Sequence, residues 1–423
     1  MKCERLSMKH SRLAGVIACT LLLTQGSWAG PNYTVLHAFG KGTDGAGLCG
    51  GVTFGAADTL CGTTAGGGSG TGCDGGGCGT VFHMTHQRNG AWTETVLHSF
   101  DRNGHDGYAI YGGPLVVTSS HLYGTTYSGG TACPDNGCGT VFQLARGPEG
   151  WVESVLYSFG TQNGDGGDPT AGLIMDHSGN LYGTAQGGVY NGGVAFELSH
   201  GADGWNETVL YPFADKPNDG ADPLAGLIFD PAGNLYGTTV GGGGYQCGSD
   251  TCGTTYELKR ASGGWKEAIL HRFGKTKYDG IWPYASLLRD AQGNLYGTTN
   301  NGGTHGGVVF ELTPQAKGGW KETILYDFQG GADGLLPSAG VVMDKAGNLY
   351  GTTDAGGADD CGVIYKLAPA AKGQWTYTVL KTFYGADGCA PAGNLIMDKK
   401  GNLYGGTVLG GAYGGGVAFE LTP

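Results

Sequence analysis

The chain has 423 residues and a formal net charge of −12, and 88 of its positions are glycine. An acidic chain without a Lys/Arg cluster excludes nucleic acid and anionic membrane as partners. Glycine and proline approach the low-complexity range, yet 10% aromatic content and short apolar runs at a fixed period exclude disorder and point to an all-β chain.

Basic Lys2, Arg5, Lys9 and Arg12 precede an apolar run from Leu13 to Leu23, and Ser27 and Ala29 offer small residues for cleavage before Gly30. Residues 1–29 therefore read as a secretory signal peptide and 30–423 as one domain. The apolar run is shorter than the roughly 20 residues a membrane span needs, and no later segment is apolar enough to serve. Losing the leader's four basic and one acidic residues takes the charge from −12 to −15. The expected location is secreted, extracellular or periplasmic, and the expected state a monomer. Ten of the 12 cysteines remain after the leader, an even number that points to disulfides in an exported protein.

A tryptophan marks each period of the mature chain: Trp92, Trp151, Trp205, Trp265, Trp320 and Trp375, spaced by 59, 54, 60, 55 and 55 residues. Within 206–265 the order is strand "ETVLYPF", turn "NDGADP", strand "AGLIFD", tight turn "PAGN", strand "LYGTT", glycine loop, strand "GTTYEL". Four short strands apolar on both faces form a sheet that must be covered on both sides. Radial stacking of such sheets gives a β-propeller. "LYGTT"-type strands begin at Leu60, Leu122, Leu181, Leu235, Leu295, Leu349 and Leu403, hence seven four-stranded antiparallel blades. "YTVLHAF" (Tyr33 to Phe39) matches an outer strand, and "GGVAFELTP" (Gly415 to Pro423) a third strand. The N-terminal strand is thus expected to complete the last blade. An open β-solenoid, the alternative, has no reason to split a unit.

The combination "DGxxP", "GLIMDxxGNLYGTT", "GGVVFELTP" and "GW.ETVLY.F" resembles the GloVer (Gloeo/Verruco) tandem repeat of secreted bacterial proteins, over essentially the whole mature chain. The resemblance implies an architecture but no defined activity. Many members of that family carry a C-terminal surface anchor. Here the last repeat runs to Pro423, so an anchor is not implied. Units one and two depart from the pattern, since "FGAADTLCGTT" and "VVTSSHLYGTT" lack the Asp-x-x-Gly-Asn turn.

Asp176/Gly179/Asn180 and Asp230/Gly233/Asn234 read as hairpin turns in which Asp caps its own backbone. The glycine of "LYG" reads as a place where neighbouring backbones approach closely. The "DG" loops carry Asp44, Asp106, Asp165, Asp219, Asp279, Asp333 and Asp387, which could ring one mouth of the channel and favour a cation. The competing reading is a plain Asp-Gly turn. "NGDGGD" (Asn163 to Asp168) is oxygen-rich but lacks EF-hand spacing, so calcium is possible while no cofactor or metal is assigned.

Cys73/Cys78, Cys133/Cys138 and Cys247/Cys252 occupy the same loop of units one, two and four, where an insertion of about five residues lengthens the unit. Local disulfides are expected, since pairs in different blades cannot gather four zinc ligands. Cys361 and Cys389, one blade apart on the same face, are expected to form an inter-blade staple. Cys49 and Cys61 pair by subtraction.

Trp282, Tyr284, Tyr108 and Tyr111 stand where other units have small residues, which makes them candidates for stacking on a sugar or anchoring a protein. Inter-blade packing is their competing role. No GxSxG, HExxH or Walker loop is present. The leading reading is a disulfide-stapled, exported binding propeller whose ligand, a carbohydrate or a surface protein or other surface macromolecule, docks on the face bearing the DG and Cys loops. A hydrolase or lyase using channel-mouth carboxylates and a purely structural envelope protein are the alternatives.

Overall fold

In blade three, Ile174–Met175, Leu181–Ala185, Val194–Gly201 and Gly204–Pro212 form one antiparallel sheet in chain order. Its first turn is made by Asp176, whose Oδ1 accepts the N–H groups of Ser178 (2.8 Å) and Asn180 (2.9 Å). Burial raises the Asp176 carboxyl, but these bonds and the Asn180 carboxamide outweigh it and hold the group below the usual carboxylate range. The same sheet recurs in a computed structural model that describes residues 31–423 except 57–58, 74–75, 134–135, 215 and 217. The signal peptide assigned to 1–29 lies outside the described residues.

The blades span 52–99, 116–158, 174–212, 228–272, 288–327, 342–382 and 396–422, seven in all. Blade seven takes its fourth strand from Asn32–Ala38, which pairs antiparallel with Val417–Thr422 from Asn32↔Thr422 to Ala38↔Val417. The ring is closed by the N-terminal strand, as the split unit requires. In blade two the missing Asp turn is replaced by Thr118, whose Oγ1 accepts the His121 N–H at 3.0 Å. In blade one Val52–Phe54 pairs with Thr59–Thr64. No helix among the described residues is long and apolar enough to cross a membrane.

The glycine of "LYG" faces a ring rather than a neighbouring backbone. A Cβ on Gly183 would lie 2.6 Å from Phe196 Cζ, across the ladder on the third strand, and Gly297 meets Phe310 in the same way. The third-strand aromatic thus lies over a residue with no side chain. Its other contact is the phenylalanine that ends the preceding blade. Phe100–Phe142, Phe159–Phe196 and Phe273–Phe310 each stack edge to face with centroids 5.1 Å apart, and every one of these rings is fully buried. Such a pair adds about 0.5–1.5 kcal/mol beyond its buried area. Phe39–Phe82 at 5.0 Å and Phe383–Phe419 at 5.6 Å carry the same bolt across blade seven.

Antiparallel order gives the ring two faces. On one, the crossing loops from fourth to first strand pair with the loops between second and third strands, as Gly107–Tyr108 with Ser128–Gly129 and Gly280–Ile281 with Asn301–Gly302. This is the loop face. The opposite face carries the Asp-x-x-Gly-Asn turns and the hairpins between third and fourth strands. Nearest the axis, the segments leading into first strands touch backbone to backbone, Gly113 against Gly172 and Gly393 against Gly51.

Candidate functional site at the blade seams

Every fourth strand carries the same irregularity. In blade two the ladder runs Phe142↔Val155 and then Val141↔Tyr157, so Leu156 is an extra, bulged residue. Register shifts at the equivalent place in the other six blades leave Leu36, Leu97, Leu210, Leu270, Leu325 and Leu380 bulged. Residues four apart on a regular strand share a face, and one bulge between them puts them on opposite faces. Glu153 therefore faces the seam with blade one while Tyr157 faces the seam with blade three.

Each seam is completed by the aspartate of the crossing loop. One carboxylate oxygen is used within that loop. Asp106 Oδ2 accepts the Asp101 N–H (3.0 Å), Asp279 Oδ2 the Lys275 N–H (3.0 Å) and Asp333 Oδ2 the Gln329 N–H (3.0 Å). Its carboxylate also faces the residue after the bulge. Tyr157 donates to Asp165 at 2.6 Å, Tyr211 to Asp219 at 3.2 Å and Tyr326 to Asp333 at 2.8 Å. Lys381 pairs with Asp387, and His37 Nε2 and His98 Nε2 lie 3.1 and 3.3 Å from Asp44 and Asp106. The sequence leaves two readings for these aspartates, a ring at one channel mouth or a plain Asp-Gly turn. The structure seats each within its Asp-Gly turn, beside a fourth strand.

The far side of five seams is a glutamate. Burial first, then repulsion by the seam aspartate, raises Glu94 (beside Asp44), Glu153 (beside Asp106) and Glu207 (beside Asp165) to about 7. Glu267, beside Asp219, is pushed up to about 8 for the same reasons in the same order. Glu322 reaches about 7, its burial countered in part by His271. The remaining two seams replace glutamate with Tyr377, which donates to the Asp333 carbonyl, and Tyr33, which donates to the Asp387 carbonyl.

Among the described residues, two seams gather three ligand-type atoms within 4.8 Å of one another: His98, Asp106 and Glu153, and His271, Asp279 and Glu322. The first opens on a groove of about 930 Å³ with Asp101, Asn103, His105 and Trp151 around it. The second opens on a groove of about 550 Å³ bordered by Tyr245, Tyr278 and Trp320.

Three of the four candidate aromatic anchors make contacts within the loop face. Trp282, half-buried at φ 59°, donates its indole N–H to the Thr251 carbonyl of the preceding blade at 3.0 Å. Tyr108 donates to the Asn136 carbonyl and lies under Arg102, Tyr111 meets Tyr127 edge to face, and Tyr284 is half-buried. The exposed tyrosines are others: Tyr190, Tyr245, Tyr278, Tyr384 and Tyr413, all in loops of the loop face and 36–56% exposed. They are scattered single residues outside the repeated phrase, so no period marks them.

Cys73–Cys78, Cys133–Cys138, Cys247–Cys252 and Cys361–Cys389 are disulfide-bonded. Cys49–Cys61 is not formed. Cys61 is a buried free thiol on the second strand of blade one, opposite Thr53 and His83, whereas Cys49 precedes that blade and packs against Val408 and Leu409.

The Gloeobacter/Verrucomicrobia repeat is matched twice, over residues 70–249 and 244–423. The chain belongs to that family. No curated protein matches this Gloeobacter/Verrucomicrobia repeat chain in sequence. Among solved structures it is similar to the periplasmic gluconolactonase PpgL of Pseudomonas aeruginosa, with 13% identity and a TM-score of 0.45 over 79% of this chain and 84% of that one. A protein of unknown function from Dyadobacter fermentans matches at 12% identity and a TM-score of 0.45, over 93% of this chain and 98% of that one.

Proposed function

We propose that the protein is an exported binding propeller that takes a glycan on its loop face. The observation that carries this reading is the placement of the exposed tyrosines. All five that stand out among the described residues, Tyr190, Tyr245, Tyr278, Tyr384 and Tyr413, are on the loop face, whereas the large apolar residues exposed on the turn face are Phe54 and Val152. Tyrosine offers a rigid ring and a hydroxyl at low entropic cost, the combination that stacking on a sugar uses. Four disulfides on the same face stiffen the loops that present them and fit an oxidising compartment, which supports export.

The test is a glycan array probed with the wild-type protein and with a variant in which all five tyrosines are serine. Retention of a wild-type hit by a variant with unchanged melting would refute the reading, as would the absence of any hit. A hydrolase or lyase is the second reading, and it rests on Glu153, raised to about 7 beside Asp106 in the larger groove. A carboxyl held half-protonated near neutrality is suited to general acid catalysis. Loss of arrayed-glycan cleavage in Glu153→Gln, with binding retained, would support it over the first.

A further inference from the structure

At the seam between blades four and five, three polar atoms face one another at ion-pair distance without a hydrogen bond between them. His271 Nε2 lies 3.5 Å from Asp279 Oδ1 and 3.4 Å from Glu322 Oε1. All three atoms are shut off from solvent and without a hydrogen-bond partner. The Asp279 side chain is only 4% exposed, and its other oxygen is occupied by the Lys275 N–H. Buried polar atoms left this way are costly, and a native protein tolerates few of them.

At the other seams the residue after the bulge satisfies the aspartate without an ion, although Glu207 Oε1, Glu267 Oε1 and Asp333 Oδ1 are also left without a partner there. Where tyrosine follows the bulge its hydroxyl donates to the aspartate, and where lysine follows it the ammonium pairs with the aspartate. Histidine at this position supplies a nitrogen ligand instead. The second such seam repeats the pattern: His98 Nε2 is 3.3 Å from Asp106 Oδ2, while Asp106 Oδ1 and Glu153 Oε1 have no partner. The third histidine seam, His37, Asp44 and Glu94, does not gather its three atoms as tightly.

We propose that the seam between blades four and five is a site for a zinc-like divalent metal ion, held by His271 Nε2, Asp279 Oδ1 and Glu322 Oε1. The equivalent seam of His98, Asp106 and Glu153 is a second, looser one. Zinc sits about 2.0–2.2 Å from nitrogen and carboxylate ligands in tetrahedral geometry, which sets ligand atoms about 3.4 Å apart. The separations at His271 match that spacing. The imidazole selects against calcium and magnesium, which prefer all-oxygen shells. Two carboxylates and a neutral imidazole leave a fourth position for water or another ligand at this seam, which borders the groove of Tyr245 and Tyr278. Because His271 and Asp279 come from one blade's outer strand and crossing loop, and Glu322 from the next blade, the ion is a clamp between blades. The site stands whether or not the loop face binds a glycan.

The chain supplies its own control substitution, since tyrosine already occupies this position at three other seams and His271→Tyr should fold. Metal-stripped full-length protein, His271→Tyr, and the double variant His98→Tyr/His271→Tyr are titrated with zinc chloride by calorimetry and equilibrium dialysis. The expected stoichiometries are two, one and none, with the tighter site lost in His271→Tyr. At a hundredfold excess over Kd, zinc should raise the wild-type melting temperature by about 3 °C per site and leave the double variant unchanged. Zinc retained by the double variant, or none bound by the wild type, would overturn the proposal. Displacement of zinc by equimolar calcium would overturn the assigned metal class.

Discussion

Replacing Glu267 by glutamine isolates the electrostatics of one seam. Asp219 accepts the Ala214 and Gly220 N–H groups and the Tyr211 hydroxyl, so it is the better-solvated carboxylate of the pair. Burial raises both acids, and the proton the pair retains sits on Glu267, held at about 8. A free glutamate titrates near 4.3, so between those values the folded protein holds a proton that the unfolded chain has released. Stability from this group is therefore complete below about pH 4 and is lost as pH rises through 8. The unscreened slope is about 1.4 kcal/mol per pH unit. The seam is partly open to water, so a realistic loss between pH 5 and 9 is about 2 kcal/mol. With an unfolding entropy of about 2.1 cal/mol/K per residue over some 390 residues, that is a fall of about 2–3 °C in melting temperature. Glutamine keeps a donor for Asp219 and does not titrate. Calorimetric melts of both proteins from pH 5 to 9 should show Glu267→Gln flatter and, at pH 9, more stable by that amount. Parallel curves would show that Glu267 is ionised in the fold and refute the reasoning.

Reduction of the staples should not be uniform. Cys361–Cys389 closes 28 residues and Cys73–Cys78 closes 5, and loop-closure entropy makes their removal cost about 3.6 and 2.1 kcal/mol. Paired serine variants should thus melt about 2 °C apart. A Cβ on Gly107 would lie 2.1 Å from Thr126 Oγ1, so Gly107→Ala should destabilise by about 1–3 kcal/mol in denaturant titrations. Asp230→Ala strips the turn of blade four of bonds to Ala232 and Asn234 and should cost about 1–2 kcal/mol. Because the Asp230 carboxyl is held below its usual range, that deficit should be full at pH 7 and fade below about pH 4. Trp282→Ala should lower thermal stability while leaving any glycan affinity unchanged, since its indole is tied to the Thr251 carbonyl.

The seven blades, the split unit and the Cys361–Cys389 staple were legible because each is a difference between copies of one phrase. The seams were not. "ETVLYPF" reads as an unbroken strand, and nothing in its letters announces that Leu210 is bulged. Without the bulge, Glu207 and Tyr211 share a face and the crossing-loop aspartate has no visible partner, so a place at the channel mouth looks reasonable. With it, Tyr211 turns toward Asp219, and glutamates four residues upstream close the seam behind. Cys61 is hidden for a related reason. Counting assigns it to Cys49, but its strand faces Thr53 and His83. The "LYG" glycine suggests backbone approach because the ring that covers it comes from another strand.

Closure by Asn32–Ala38 bears on how such a ring meets proteases. In an open stack, one cut in a surface loop frees a terminal unit to peel away. In a closed ring each blade is held on both sides, so one cut merely relocates the chain's ends, and the nicked protein keeps every strand ladder and every aromatic bolt. Releasing a blade takes two cuts on either side of it, and a staple such as Cys361–Cys389 holds one side even then. Glycine-rich loops that would be a weakness elsewhere can therefore stand exposed on this face.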